Sequence, residues 1–263
     1  MTGRVRRWLF LAAGGALGAL LAWAFLGLPR FGELRSPYGR LLASLASSER
    51  QSANAVTAVL FDFRGLDTLG EELILFAAVA GVALLLRPLP GEEEEPPEED
   101  LPGHEAPETS GALQAFGFPL AGVTALYGLL LVARSHLSPG GGFQGGVMVA
   151  AALLLVYLVS DFRVVTGLAP KPALEHLEGL GIGAYLLLGL GGLLAGGGFL
   201  TNFLPAGRLG ELASGGLIPF LSASAGLAVG AGTVLLVADF LEQTLMIREH
   251  RWHRPGRGAD GRR

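Results

Sequence analysis

Long uncharged runs separated by short polar stretches constrain this chain more than any other feature. Residues 8–28 carry no charge and follow directly on Arg4, Arg6 and Arg7, and about 20 such residues cross a bilayer as a helix. Uncharged runs recur at residues 73–86, 112–133, 143–160, 179 to about 200, and 212–238. The expected fold is an all-α, polytopic integral membrane protein with about six transmembrane helices. Six spans return both termini to one side. That side then holds twelve arginines and lysines against seven on the other, which by the positive-inside rule makes the termini cytoplasmic. Ala22-Trp23-Ala24 has the form of a leader cleavage site, but the apolar run continues to Leu28, so the first segment reads as an uncleaved anchor.

Composition narrows the chemistry. At 51% hydrophobic and with a mean hydropathy of +0.49, the chain is too apolar for an ordinary soluble domain. Glycine supplies 41 of 263 residues and lies mostly within the apolar runs, where it lets helices approach closely. Gly14/Gly18, Gly192/Gly196 and Gly226/Gly230 recur at the spacing such contacts use. There is no cysteine, which excludes disulfides and thiolate-held clusters in this chain. The histidines show no metal-ligand spacing, no catalytic triad is present, and Gly179-Leu180-Gly181-Ile182-Gly183 lacks the preceding strand of a nucleotide fingerprint. No catalytic residue, metal or cofactor is expected, nor any nucleic-acid partner.

Two polar features interrupt the apolar pattern. The first is Ser138-Pro139-Gly140-Gly141-Gly142-Phe143-Gln144-Gly145-Gly146, between two runs of membrane length. Proline fixes φ and removes a donor, and glycines accept positive φ and close backbone approach. A special turn is expected there at membrane depth, where unpaired backbone amides must find partners in protein or cavity water. His136, just ahead of it, is a candidate proton carrier or an interfacial hydrogen-bonder.

The second feature precedes the 73–86 run. Fourteen residues rise about 21 Å as a helix, short of a hydrocarbon core of about 30 Å. The helix must therefore recruit residues from Asp67 or Leu69 onward, which draws Glu71, and with it Glu72, into the membrane edge. Asp62, Arg64, Asp67, Thr68, Glu71 and Glu72 are the ion-pathway candidates. Carboxylates placed there replace water around a hard cation or pass protons, with Arg64 holding one of them ionised. The competing reading is a salt-bridge cluster capping a helix that starts near Thr68. Asp161 and Asp239 each end an apolar run and read as boundary residues facing water. Lys171, the one lysine, falls in what reads as a polar loop over 161–178.

Arg134-Ser135-His136-Leu137-Ser138-Pro139-Gly140-Gly141-Gly142-Phe143-Gln144-Gly145-Gly146 resembles the signature of the MnhB-like proteins, which are components of Mrp-type multisubunit Na⁺/H⁺ antiporters. Val59-Leu60-Phe61-Asp62-Phe63-Arg64-Gly65-Leu66-Asp67-Thr68-Leu69-Gly70-Glu71 is similar to the C-terminal end of MrpA, an element that stands as a small separate protein in membrane-bound hydrogenases. The chain departs from that pattern at Phe61, Leu66 and the doubled Glu71-Glu72, which leaves open which glutamate corresponds. The resemblance implies four parts: residues 1–90 with two spans, an acidic Pro/Glu linker over 91–111, an MnhB-like domain over 112–245 with four spans, and a basic tail over 246–263. It further implies a non-catalytic component of a cation/proton antiporter in a prokaryotic cell membrane. Its partners would be the other subunits and the lipid bilayer, with Na⁺ and H⁺ as the transported ions. Two alternatives stay open, a membrane-arm component of a hydrogenase-like respiratory complex and a pure scaffold.

Overall fold

The computed structural model describes residues 3–28, 37–87, 110–160 and 162–252, with residues 162–163 and 243–252 described by backbone alone. Arg30, Arg35, Asp161, nearly all of the acidic linker and the end of the basic tail lie outside the described residues. Among the described residues the chain is helical and contains no strand. Two compact units divide it, residues 1–41 and 42–263.

The first unit contains α1 (Gly3–Leu26), exposed along its described length. α2 (Pro37–Ser48) runs into the second unit, where Leu42 and Ala46 are buried. Then follow α3 (Ala55–Ala58), a π-helical turn (Val59–Phe63), α4 (Gly65–Leu85), α5 (Gly111–Ala133), α6 (Gly142–Val159), α7 (Phe162–Leu168), α8 (Lys171–Leu194) and α9 (Ile218–Trp252). Six segments are long and apolar enough to cross a membrane: Arg4–Leu26, Gly65–Leu85, Gly111–Ala133, Gly142–Val159, Lys171–Leu194 and Ile218–Glu242. The recruitment expected of α4 is met, since 21 residues from Gly65 rise about 31 Å.

Within the second unit α9 is the axis. Two thirds of its most apolar window is buried, against 39% or less for the other five, and α4, α5, α6 and α8 all pack on it. Its contact with α6 is made backbone to backbone. A Cβ added at Gly146 would stand 2.6 Å from the Gly226 carbonyl oxygen, and one at Gly142 would overlap the Ser222 carbonyl. On the other side a Cβ at Gly181 of α8 would meet the Ser224 carbonyl at 2.8 Å. Of the three glycine pairs read from the sequence, Gly226/Gly230 thus forms a helix interface. Gly14/Gly18 faces outward on α1. Gly192/Gly196 serves the end of α8, where Gly196 at φ 85° terminates the helix and a Cβ at Gly192 would meet the returning Gly198 carbonyl at 2.7 Å.

Two expected boundaries are corrected. The fifth span covers Lys171–Leu194 rather than 179–200, and α9 starts at Ile218 rather than at residue 212 and runs on past Asp239. Pro170 and Pro172 set the start of α8, as proline does in a first helical turn. Counting uncharged residues misses this, because Glu178 points into the bundle, and an uncharged run cannot register a charge placed on an inner face. Lys171 is accordingly the first residue of a membrane-length helix and not a loop residue.

Replacing Gly146 by alanine should lower stability by about 1–3 kcal/mol, as overpacking of a closed interface does. Gly183→Ala, on α8 with open space around it, should leave stability unchanged. Melting temperatures of the purified protein in detergent compare the two.

Candidate functional site

At the end of the bundle where α4, α6 and α9 begin, the Asn54 segment is laced to the glycine turn. The Asn54 side-chain oxygen accepts from the amides of Val56 and Thr57 and caps α3. That orients its amide group toward the turn, where Nδ2 lies 2.8 Å from the Ser135 carbonyl, 2.9 Å from that of Ser138 and 3.1 Å from that of Gly140. Thr57 also donates to the Gly140 carbonyl, at 3.2 Å. The Asn54 backbone amide and the Ser52 hydroxyl both donate to the His136 carbonyl, each at 3.1 Å. The turn's backbone oxygens are therefore met by protein, as membrane depth requires. Only Gly140 of the three consecutive glycines has positive φ, 131°; Gly141 is extended and Gly142 opens α6. Of the other loop residues, Pro139 and Gln144 are exposed, Phe143 packs on the core, and Gly145 and Gly146 are buried. A Cβ at Gly145 would lie 2.6 Å from the Gly128 carbonyl of α5.

His136 is 1% exposed, and its Nε2 sits 3.1 Å from the Leu212 carbonyl, so that nitrogen carries the proton. Nδ1 is buried without a hydrogen-bond partner. Burial pushes the ring below its ordinary value of 6.5, and the nearby Arg134 charge adds to this, while bonds to the Leu212 and Glu211 backbone oppose it.

The six ion-pathway candidates divide into outward and inward groups. Asp62 has a nearly buried carboxylate paired with Arg50, whose guanidinium lies 5.6 Å from the centre of the Phe63 ring. Nothing in the sequence pattern marks Arg50 for this role. Arg64 holds Asp67, with Nε 2.6 Å from Oδ2, as an exposed pair. Thr68 donates to the Leu60 carbonyl at 2.6 Å, inside the π-helical turn, and is buried. Glu71 faces outward. Glu72, its neighbour, is 1% exposed, and neither carboxylate oxygen has a hydrogen-bond partner. The doubled glutamate thus separates into an outer and an inner carboxylate.

A second buried carboxylate escapes the sequence pattern. Glu178 on α8 is 5% exposed, and its Oε1 is also without a partner. It lies where a Cβ at Gly232 of α9 would stand 2.5 Å away, so the glycine makes its space. One heptad earlier, Lys171 bridges Asp239 at 2.6 Å and Glu242 at 3.0 Å. Asp239 is 5% exposed, a correction to its expected place facing water. Charges in a stretch that opens on two prolines give no hint of this inward face; the signal available is the seven-residue spacing of Lys171, Glu178 and Tyr185.

A helical bundle with buried, unpaired carboxylates among spans of membrane length defines a multi-pass membrane protein of the ion-handling kind. The family of domains related to the MnhB subunit of the Na⁺/H⁺ antiporter matches residues 112–235, and the MbhE family, named for a component of the membrane-bound hydrogenase, matches residues 3–98. A chain of Methanocaldococcus jannaschii without an assigned function is 37% identical over 72% of this chain and 76% of its own length. A probable K⁺/H⁺ antiporter protein of combined A/B type from Rhizobium meliloti is 28% identical over 88% of this chain and 24% of its own. A B-type component of the Na⁺/H⁺ antiporter of Alkalihalophilus pseudofirmus is 38% identical over 29% of this chain and 53% of its own. Among solved structures, a chain of the archaeal membrane-bound sulfane sulfur reductase complex superposes with a TM-score of 0.71 at 33% identity, over 90% of this chain and 99% of that one. A chain of the Mrp complex of Dietzia, 24% identical, shares the fold, with a TM-score of 0.70 over 91% of this chain and 26% of that one. The chain belongs to the MnhB-like family of membrane proteins, joined here to an MbhE-like element.

His136 sets a pH dependence. Its folded-state value is depressed, so below about 6.5 the unfolded chain binds more protons than the folded one. The stability it contributes is complete above about 6.5 and is lost as pH falls. His136→Asn should flatten the acid side of a plot of melting temperature against pH. Asn54→Asp should destabilise more than Asn54→Ala, because it sets a carboxylate against three carbonyl oxygens; the same melts measure it.

Proposed function

We propose that this chain is a non-catalytic component of a multisubunit complex that exchanges a monovalent cation for protons across a prokaryotic cell membrane, with both termini cytoplasmic. Residues 1–90 act as the MrpA-derived element and 112–245 as the MnhB-like element, joined by the acidic stretch 91–111 and followed by the basic tail 246–263. Its partners are the antiporter-like and small subunits of such a complex, and its transported ions are Na⁺ (or another monovalent cation) and H⁺. The observation that carries the reading is Glu72: a carboxylate in a membrane-length helix, buried and without a hydrogen-bond partner. Charge at such a site is expensive and is kept where it works.

A second reading, membrane-arm component of a respiratory complex, is favoured by one fact. This chain is coextensive with a single chain of the sulfane sulfur reductase complex, covering 99% of it, whereas it covers 26% of the Dietzia chain. The two readings share the ion pathway and differ in what drives it.

The test is made on the assembled complex in everted membrane vesicles. Glu72→Gln should reduce cation-dependent proton exchange by about a hundredfold, in the range of a lost proton-transfer group, with assembly on native gels intact. Glu71→Gln and Asp67→Asn report whether the outer face shares the role. Full exchange in all three would leave the scaffold reading, for which Gly142→Val should abolish assembly.

A further inference from the structure

Lys171, Glu178 and Tyr185 stand seven residues apart on α8. Seven residues are two turns, so the three share one face, and they cover about 21 Å of helix length. Each meets a polar or backbone group of another helix. Lys171, partly exposed, closes on Asp239 and Glu242 of α9. Glu178 reaches the gap left by Gly232, with Val79 of α4 also bordering that glycine at 3.4 Å. Tyr185 is fully buried, and its hydroxyl donates to the Gly65 carbonyl at the start of α4, at 2.9 Å. The Thr68 hydroxyl is beside it, and the Glu72 carboxylate is near enough to act on it electrostatically.

We propose that this face of α8 is a proton-transfer file internal to the chain, leading from the Lys171 end of the bundle through Glu178 and Tyr185 to Glu72. It rests on the ion-pathway reading of Glu72 given above and extends that pathway across the bundle, from the MbhE-like element into the MnhB-like one. The geometry separates the roles. The Lys171–Asp239–Glu242 cluster is partly open and forms the mouth. Glu178 lies two turns deeper and has an oxygen that no protein donor satisfies, as a group that gains and loses protons must. Burial without a partner argues against a structural task, because a packed ion pair or hydrogen bond would have satisfied the oxygen. Tyr185 both donates and accepts, and it stands between the levels of the two carboxylates.

One transfer runs as follows. A proton from the mouth converts the Glu178 carboxylate to the acid. That proton moves through water to the phenol oxygen of Tyr185 as the phenol passes its own proton to Glu72. The phenol ends neutral, Glu178 is again a carboxylate, and Glu72 holds the proton. No oxidant or reductant takes part.

Glu178→Gln and Tyr185→Phe, each nearly isosteric, are introduced into the intact complex, and proton exchange is read in everted vesicles alongside assembly on native gels. The expected result is a fall of about tenfold or more in each variant, with assembly kept. Infrared difference spectra of the wild-type complex should show a buried carboxylic C=O band that shifts in D₂O and is lost in Glu178→Gln. Full exchange in both variants overturns the file; if Glu72→Gln alone abolishes exchange, the pathway reading stands and only this extension falls. If both Glu72→Gln and the α8 variants are silent, both readings fall. Should Glu178→Gln not assemble, Tyr185→Phe decides alone, since it removes one oxygen and keeps the ring.

Discussion

The second unit depends on the approach of α6 to α9. Gly142 and Gly146 lie against the carbonyls of Ser222 and Gly226 so closely that no Cβ fits between them. In lipid, helices gain nothing from hiding apolar surface from each other, and what holds them is dispersion and polar contact at short range. Backbone contact of this kind puts the largest number of atoms in reach per turn. It also fixes where α6 begins and so where the glycine turn before it must lie. With α6 seated on α9, α5 and α8 complete the packing around the same axis.

The tight seat creates a problem at its end, because the turn before α6 exposes carbonyls at membrane depth. Asn54 and Thr57 solve it from a distant part of the chain, and Ser52 does the same for the His136 carbonyl. The MbhE-like and MnhB-like elements are thus joined by hydrogen bonds that each needs, besides the linker between them in sequence. The core cluster repeats this pairing. Phe61 and Leu69 from one element pack with Tyr185, Leu200 and Leu221 from the other, and the Phe61 and Tyr185 rings lie 6.3 Å apart.

Charge is arranged by the same junction. Arg50 neutralises Asp62, Arg64 neutralises Asp67, and Lys171 neutralises Asp239. Glu72 and Glu178 are left with buried oxygens that make no hydrogen bond. Satisfied pairs at the ends and unsatisfied carboxylates within suit a chain in which the ends fix structure and the interior handles protons. The π-helical turn at Val59–Phe63 belongs to this arrangement. It shifts the register ahead of α4, and Thr68 takes up one of the carbonyls it frees.

Much of the fold is legible in the residues. Six uncharged runs become six helices because a bilayer tolerates little else, and the short run before Arg87 requires α4 to begin near Asp67. The glycine turn and the carboxylate motif stand out by composition and by family resemblance. Three things are decided only in three dimensions. Glu71 and Glu72 are adjacent and chemically alike, so their separation into outer and inner residues depends on which side of α4 meets the bundle. Arg50 and Asp62 are twelve positions apart across a helix and a π-helical turn, and no periodicity links them. Glu178 reads as part of a polar loop, because a linear scan sees a charge only as an interruption. Whether that charge faces water or a glycine on a neighbouring helix is a property of packing, and packing is long-range.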